Sequence, residues 1–234
     1  MLQLIVLFAI SWLLLWLFGK KNLSVLGLAF TKVRMKYFLV LFVISALLSA
    51  TAFLLRMYLA KEVYAFNQAL TTKTILLETW YQFRSVFTEE LLCRGALLYI
   101  LIRKTGQATA ILISSILFAA FHWMNAGVWG NLIQMSIVFT FTFAMGLLLA
   151  YSYARTFSLL LPLAIHFGWN LTQNFIFPDS ATGNHIIVLT TSPPIVTISS
   201  FAFFAMILIP KIAVLVIDYL IVKGYRRVYI REFS

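Results

Sequence analysis

The sequence predicts an all-α protein, a polytopic transmembrane helical bundle of about seven spans, and three observations predict it. Of the 234 residues, 62% are hydrophobic and only 11% are charged. With a mean hydropathy of +0.97, this composition is solvated by lipid rather than water. The apolar residues gather into seven runs, each near the ~20 residues a span needs. Most lysines and arginines fall in alternate connections between those runs, the distribution that orients a polytopic chain. This length leaves no room for an added soluble domain, so residues 1–234 read as one integral membrane domain.

The first run, Met1–Phe18, lacks a basic segment before it, and Lys20 and Lys21 follow where a cleavage site would need small residues. It reads as a retained helix rather than a removed signal. Next, Asn22–Lys36 intersperses Lys32, Arg34 and Lys36 with Leu23, Val25, Leu26, Leu28 and Phe30. That pattern suits either an interfacial amphipathic segment or a plain loop. Tyr37–Leu59, Ile75–Ile102 and Gln107–Met124 are the second to fourth runs. A short turn with Asn125, Gly127, Gly130 and Asn131 leads to Leu132–Tyr153, glycine punctuating the two helices. Phe157–Phe177 and Ile195–Val222 complete the set, and Pro210 beside Lys211 marks a kink or break in the last run. A break there would make eight spans.

Twelve basic residues lie on one side of this arrangement: Lys20, Lys21, Lys32, Arg34, Lys36, Arg103, Lys104, Arg155, Lys223, Arg226, Arg227 and Arg231. Three lie on the other: Arg56, Lys61 and Lys73. The asymmetry predicts the N-terminus outside and the C-terminal tail in the cytoplasm, in what reads as a bacterial cytoplasmic membrane. It also accounts for the net charge of +11 by topology, so no nucleic-acid partner is inferred. The single cysteine, Cys93, excludes an internal disulfide and any CxxC metal site.

Polar groups that a bilayer should reject then stand out inside the apolar runs: Glu89, Glu90 and Arg94 in the third, His122 in the fourth, His166 and Asn170 in the sixth. A charge at mid-membrane costs roughly 2.5–3.5 kcal/mol on insertion scales, so such residues mark functional sites. Counting helical rise from the cytoplasmic ends of their runs puts Glu89, His122, His166 and Asn170 roughly 14–23 Å deep, in one layer. Residues four apart share a helix face, so Glu90 pairs with Arg94, and Glu89 is left free to face other helices and bind a water. Glu89 is therefore the candidate general base. His122 follows Phe118 by one turn on the same face. His166 and Asn170, also four apart, are candidate donors to an oxyanion. The plainer readings are an ion network around Arg94 and interhelical packing by Asn170. Gln173 and Asn174, at the outer end of the sixth run, are candidates to line an entrance.

These residues, Glu89-Glu90-Leu91-Leu92-Cys93-Arg94, Phe118 to His122 and His166 to Asn170, match EExxxR, FxxxH and HxxxN motifs in order. The chain thereby resembles the CAAX protease and bacteriocin-processing family, intramembrane endopeptidases that include the prenyl-protein proteases and bacterial Abi proteins linked to bacteriocin immunity. The resemblance covers roughly residues 80–175 and implies a helical bundle, with catalytic core helices over about 75–177, around a water-filled cavity. It assigns Glu89 and His122 to activating water, His166 and Asn170 to the oxyanion, and Glu90 with Arg94 to holding the constellation. The chain departs from the eukaryotic prenyl proteases in having seven spans instead of eight.

Members of the family have been named metalloproteases, and Glu89, His122 and His166 would be the three ligands of an open zinc site. HExxH is absent, and a zinc-bound Glu89 would leave only the Arg94-engaged Glu90 as base, so catalysis without a cofactor is the preferred expectation. The expected partners are the lipid bilayer and a peptide or lipidated-protein substrate with an apolar segment. The alternative is an immunity protein or transporter that uses the same polar cluster without proteolysis.

Overall fold

The computed structural model describes residues 2–177, 184–190 and 196–225. Arg226, Arg227 and Arg231 of the charge count lie outside the described residues. Eight α-helices are described: α1 (Leu2–Gly19), α2 (Lys32–Leu59), α3 (Thr72–Arg94), α4 (Ala96–Thr105), α5 (Gln107–Phe121), α6 (Leu132–Thr156), α7 (Leu160–Leu171) and α8 (Ser200–Lys223). Four begin at a side-chain cap: Thr31, Thr71, Asn131 and Ser199 accept from backbone N–H groups of α2, α3, α6 and α8. Such caps satisfy donors that the first helical turn leaves unpaired. α1, α2, α6, α8 and α5 extended to Met124 are each long and apolar enough to cross a membrane. The chain is thus an α-helical integral membrane protein, as its composition predicts.

The eight helices, five of them long and apolar enough to span, include a division that the sequence does not place. The third run, expected as one span from Ile75 to Ile102, is two helices divided at Gly95. A Cβ at Gly95 would sit 2.1 Å from the Leu91 carbonyl oxygen, so the turn that separates α3 from α4 requires glycine. At Pro210, by contrast, α8 is unbroken. A proline costs a membrane helix one backbone hydrogen bond, which neighbouring groups and local adjustment absorb.

Asn22–Lys36 is not an amphipathic helix lying on the membrane. A 3-10 turn over Leu23–Leu26 buries Val25 and Leu26, and α2 has already begun at Lys32. The turn is a wedge under the α6–α7 connection: Tyr153 donates to the Val25 carbonyl at 3.0 Å, Ser158 to that of Gly27 at 2.7 Å, and the Leu159 amide to that of Leu26 at 2.9 Å. Gly27 has φ +65°, and a Cβ there would lie 2.0 Å from the Phe157 carbonyl oxygen, so only glycine closes this contact. The loops at the opposite end add a two-stranded antiparallel pair that the sequence reading did not foresee, β1 (Tyr64–Phe66) on β2 (Ile187–Leu189), with Tyr64 opposite Leu189.

Small residues set the helix contacts, as they do where lipid supplies no hydrophobic drive for association. α7 is the most enclosed helix, its residues Leu160–His166 all buried and packed against α2, α3 and α6. A Cβ at Gly168 would meet the Phe42 carbonyl oxygen at 2.4 Å, so α7 and α2 approach backbone to backbone. Gly146 of α6 lies against Ser115 and Phe118 of α5 in the same way, its absent Cβ 3.1 Å from the Ser115 Cα. Basic helix ends gather at one end of the bundle. Lys104 stands over the Phe18 ring at 4.7 Å, Arg155 reaches the Lys223 carbonyl at 3.4 Å and Tyr37 that of Gly224 at 3.5 Å.

Candidate active site

The polar residues of three runs converge on one place. Arg94, at the end of α3, is fully buried and donates to Glu90 Oε1 at 3.0 Å, one turn earlier on the same helix. Its guanidinium lies 3.9 Å from the Phe118 ring centre and reaches the Gly146 carbonyl at 3.5 Å. The close approach of α6 allowed by Gly146 therefore also feeds an acceptor to Arg94. Glu90 is fully buried too, and its Oε1 accepts a second bond, from His166 Nδ1 at 2.8 Å. The i,i+4 pair expected from sequence is thus the centre of a three-residue lock joining α3 to α7. His166 is anchored by this carboxylate, a contact across 76 positions that no local pattern announces.

With Nδ1 carrying the proton given to Glu90, His166 Nε2 accepts from Asn170 Nδ2 at 3.1 Å. His166 and Asn170 therefore engage each other, beyond merely sharing a face. Asn170 is followed by a π-helical turn, Thr172–Ile176, a local widening often found at functional positions. In that turn Gln173 bonds Ser49 of α2 at 3.0 Å and Asn174 bonds Gln82 of α3 at 3.3 Å. Both candidates for an entrance thus tie the end of α7 to its neighbours.

His122 ends α5 instead of lying within it, at the first residue of a 3-10 turn. Its Nδ1 donates to the Phe118 carbonyl at 2.8 Å, and its ring meets that of Phe118 edge-on at 4.5 Å. Phe118 also meets His166 edge-on, at 5.7 Å. One phenylalanine consequently supports Arg94, His122 and His166 together. The common depth argued from unbroken helices needs amending, because α3 stops at Arg94 and α5 at Phe121. The side chains nonetheless meet, brought together by the α3–α4 turn and by α7.

Glu89 stands apart from the lock. Its Oε1 accepts from Ser85 at 3.4 Å, a neighbour one turn back that the sequence reading passed over although its i−4 spacing was visible. Its Oε2 is buried with no hydrogen-bond partner. That atom lies 3.9 Å from His122 Nε2 and 3.8 Å from His166 Nε2. These separations are too long for direct hydrogen bonds and short enough for one water to span.

The same three side chains are the candidate zinc ligands. Four-coordinate zinc with bonds of 2.0–2.2 Å holds its ligand atoms about 3.4 Å apart, closer than the 3.8 and 3.9 Å here. His166 Nε2, moreover, has its one lone pair turned to Asn170. Among the described residues no three His, Cys, Asp or Glu side chains are placed to hold a metal ion. The donor set as arranged does not fit an open three-ligand zinc site.

No curated protein and no solved structure matches the chain. Residues 53–172, just over half of the 234, match the family model for type II CAAX prenyl endopeptidase Rce1-like proteins. The match spans α3 to α7 and with them every residue of the cluster. An α-helical membrane protein that carries the EExxxR, FxxxH and HxxxN residues in contact and matches this model over half its length belongs to the type II CAAX prenyl endopeptidase Rce1-like family.

Proposed function

We propose that this chain hydrolyses a peptide bond inside the membrane by a glutamate-activated water, without a metal. The observation that carries the reading is the buried, unpartnered Glu89 Oε2, 3.9 and 3.8 Å from two imidazole nitrogens. A water there donates one hydrogen to Glu89 Oε2. Its second goes to His122 Nε2, which is an acceptor because Nδ1 gives its proton to Phe118. Both hydrogens are then directed into the protein, and the oxygen lone pair faces the substrate. As the oxygen attacks the scissile carbonyl, Glu89 takes the proton and later returns it to the leaving amine.

The second N–H of Asn170 stabilises the developing oxyanion. His166 fixes Asn170 through Nε2, and Glu90 with Arg94 fixes His166. The substrates are peptides or lipidated proteins that bring an apolar segment into the bundle, in line with the activity named for the family.

Membrane-fraction proteomics of cells carrying the wild type or Glu89→Gln identifies the substrate, and cleavage is then measured with purified protein. The amide keeps the size of the side chain and removes the base. Cleavage falls about 10²–10⁴-fold while thermal stability in detergent is unchanged, and retained cleavage overturns the reading. For orientation we propose the N-terminus outside and the tail in the cytoplasm, on the clustering of basic helix ends. In a Cys93→Ala background, cysteines at Gln68 and Thr105 label from opposite sides of the membrane, and labelling from one side refutes it.

A further inference from the structure

On either side of the catalytic centre, α3 and α7 differ in what they turn toward each other. α3 carries Glu78, Gln82, Ser85 and Glu89, while α7 with its π-helical continuation carries His166, Asn170 and Asn174. Steps of three and four keep each set on one helix face. Two contacts fix the antiparallel register of the pair: His166 donates to Glu90 at 2.8 Å, and eight residues away on both segments Asn174 donates to Gln82 at 3.3 Å. That register sets Asn170 level with Val86, and so between the levels of Ser85 and Glu89. The polar seam formed in this way is one-sided. One turn past Glu89 and His166 toward the basic helix ends, the two faces continue as Cys93 and Pro162, both buried. Toward the β1–β2 end they stay polar and open up: His166 is 4% exposed, Asn170 half-buried and Asn174 exposed. Glu78 there accepts from Asn184, three residues before β2, at 3.2 Å. Side chains that only glued two helices together would be buried between them, and an exposed amide beside a carboxylate is costly against hydrocarbon. The open end of the seam therefore faces water.

From Glu89 to Glu78 the seam runs along eleven residues of α3, about 16 Å. That is the length of about five residues of extended chain. We propose that the seam is a subsite for an extended, unlipidated stretch of the polypeptide substrate, running from the scissile bond at Glu89 toward the β1–β2 end. The inference rests on the proteolytic reading and adds to it the course of one arm of the substrate. Gln82 and Asn174 recognise the main chain of that arm. Their mutual bond uses Oε1 of Gln82 and Nδ2 of Asn174, so Nε2 of Gln82 donates to a peptide C=O and Oδ1 of Asn174 accepts from a peptide N–H. A lipid or apolar anchor is excluded from so polar a seam and belongs on the other side of the scissile bond. The cut segment thus reaches the catalytic centre from the end of the bundle opposite the basic helix ends.

Two measurements on the full chain test it. In a Cys93→Ala background, a membrane-impermeant methanethiosulfonate reagent modifies Ser85→Cys and Asn174→Cys from the side of the membrane that labels Gln68→Cys. It modifies Leu163→Cys, on the buried part of α7 beyond the centre, from neither side. A Ser85→Cys protein that does not react, or that reacts from the side that labels Thr105→Cys, overturns the proposal. The second measurement uses a synthetic peptide spanning the cleavage site that proteomics identifies. Gln82→Leu and Asn174→Leu each raise its KM about five- to tenfold, the loss of one hydrogen bond to the chain, and leave kcat within about threefold. A lower unfolding temperature with KM unchanged assigns both residues to helix packing alone and overturns the proposal. Retained cleavage in Glu89→Gln refutes the proteolytic reading without moving the labelling pattern, whereas a seam closed to the reagent leaves wild-type cleavage intact, so the two failures are told apart.

Discussion

Replacing Arg94 by methionine isolates the energetics of the lock. The side chain keeps an apolar stem and loses the guanidinium with its charge. In the wild type both Arg94 and Glu90 are completely shielded, joined at 3.0 Å, and the guanidinium is also stacked 3.9 Å from the Phe118 ring centre. Removing it leaves Glu90 as a buried carboxylate held only by His166. Breaking a buried pair from one side costs about 3–5 kcal/mol, because the remaining charge is uncompensated. At about 2–4 °C per kcal/mol for a chain of this size, the apparent unfolding temperature falls by about 6–20 °C. The informative comparison is the double variant Glu90→Gln/Arg94→Met, which removes both charges and restores a large part of the loss. Thermal unfolding in one detergent, at one scan rate, measures all three proteins. A single variant as stable as the wild type, or a double variant no more stable than the single, refutes the view that Arg94 chiefly compensates Glu90.

Two further outcomes follow from the same geometry. Asn170→Ala removes the proposed oxyanion donor and lowers kcat about 10²–10³-fold, with a smaller change in KM. A loss confined to KM, measured on the substrate that proteomics identifies, speaks for substrate binding instead. Thorough chelation leaves the activity of the purified protein intact, because the spacing around Glu89 Oε2 suits a water and not a metal. Activity lost on chelation and restored by stoichiometric zinc refutes the metal-free mechanism.

How far these features were legible in the sequence depends on the range of the contact. The Glu90–Arg94 pair lies within one helical turn and could be placed from spacing alone. So could the apolar runs that became α1, α2, α6 and α8. The Glu90–His166 bond joins α3 to α7, and its existence depends on how two helices face each other, which hydrophobic periodicity leaves open when all sides of a helix are apolar. Gly95 was equally opaque, since a single glycine inside an apolar run is tolerated in a helix. Only the proximity of the Leu91 carbonyl shows why the chain turns there. Val25 and Leu26 read as interfacial because they sit among lysines, but they are buried by contacts to Tyr153, Ser158 and Leu159 more than 120 positions away. Pro210 invited a break that α8 does not make.

Glu89 and Glu90 also show why adjacency in sequence does not imply a shared role. Successive helical residues point about 100° apart, so two neighbouring carboxylates enter different surroundings. Glu90 enters the packed interface of α3 with α7, where Arg94 and His166 saturate one oxygen. Glu89 enters the gap beside His122, where one oxygen has Ser85 and the other has no partner. Glu90 is tied to Arg94 and His166 through Oε1, while Glu89 Oε2 is the carboxylate oxygen that lies near both His122 and His166 Nε2. Both carboxylates leave Oε2 buried without a hydrogen-bond partner; they differ in that Glu90 Oε1 holds His166 and, through it, Asn170, whereas Glu89 Oε2 lies within one water of two imidazole nitrogens. In the proposed mechanism the lock and the base must therefore be different residues, and the EE pair supplies both from a single helical turn.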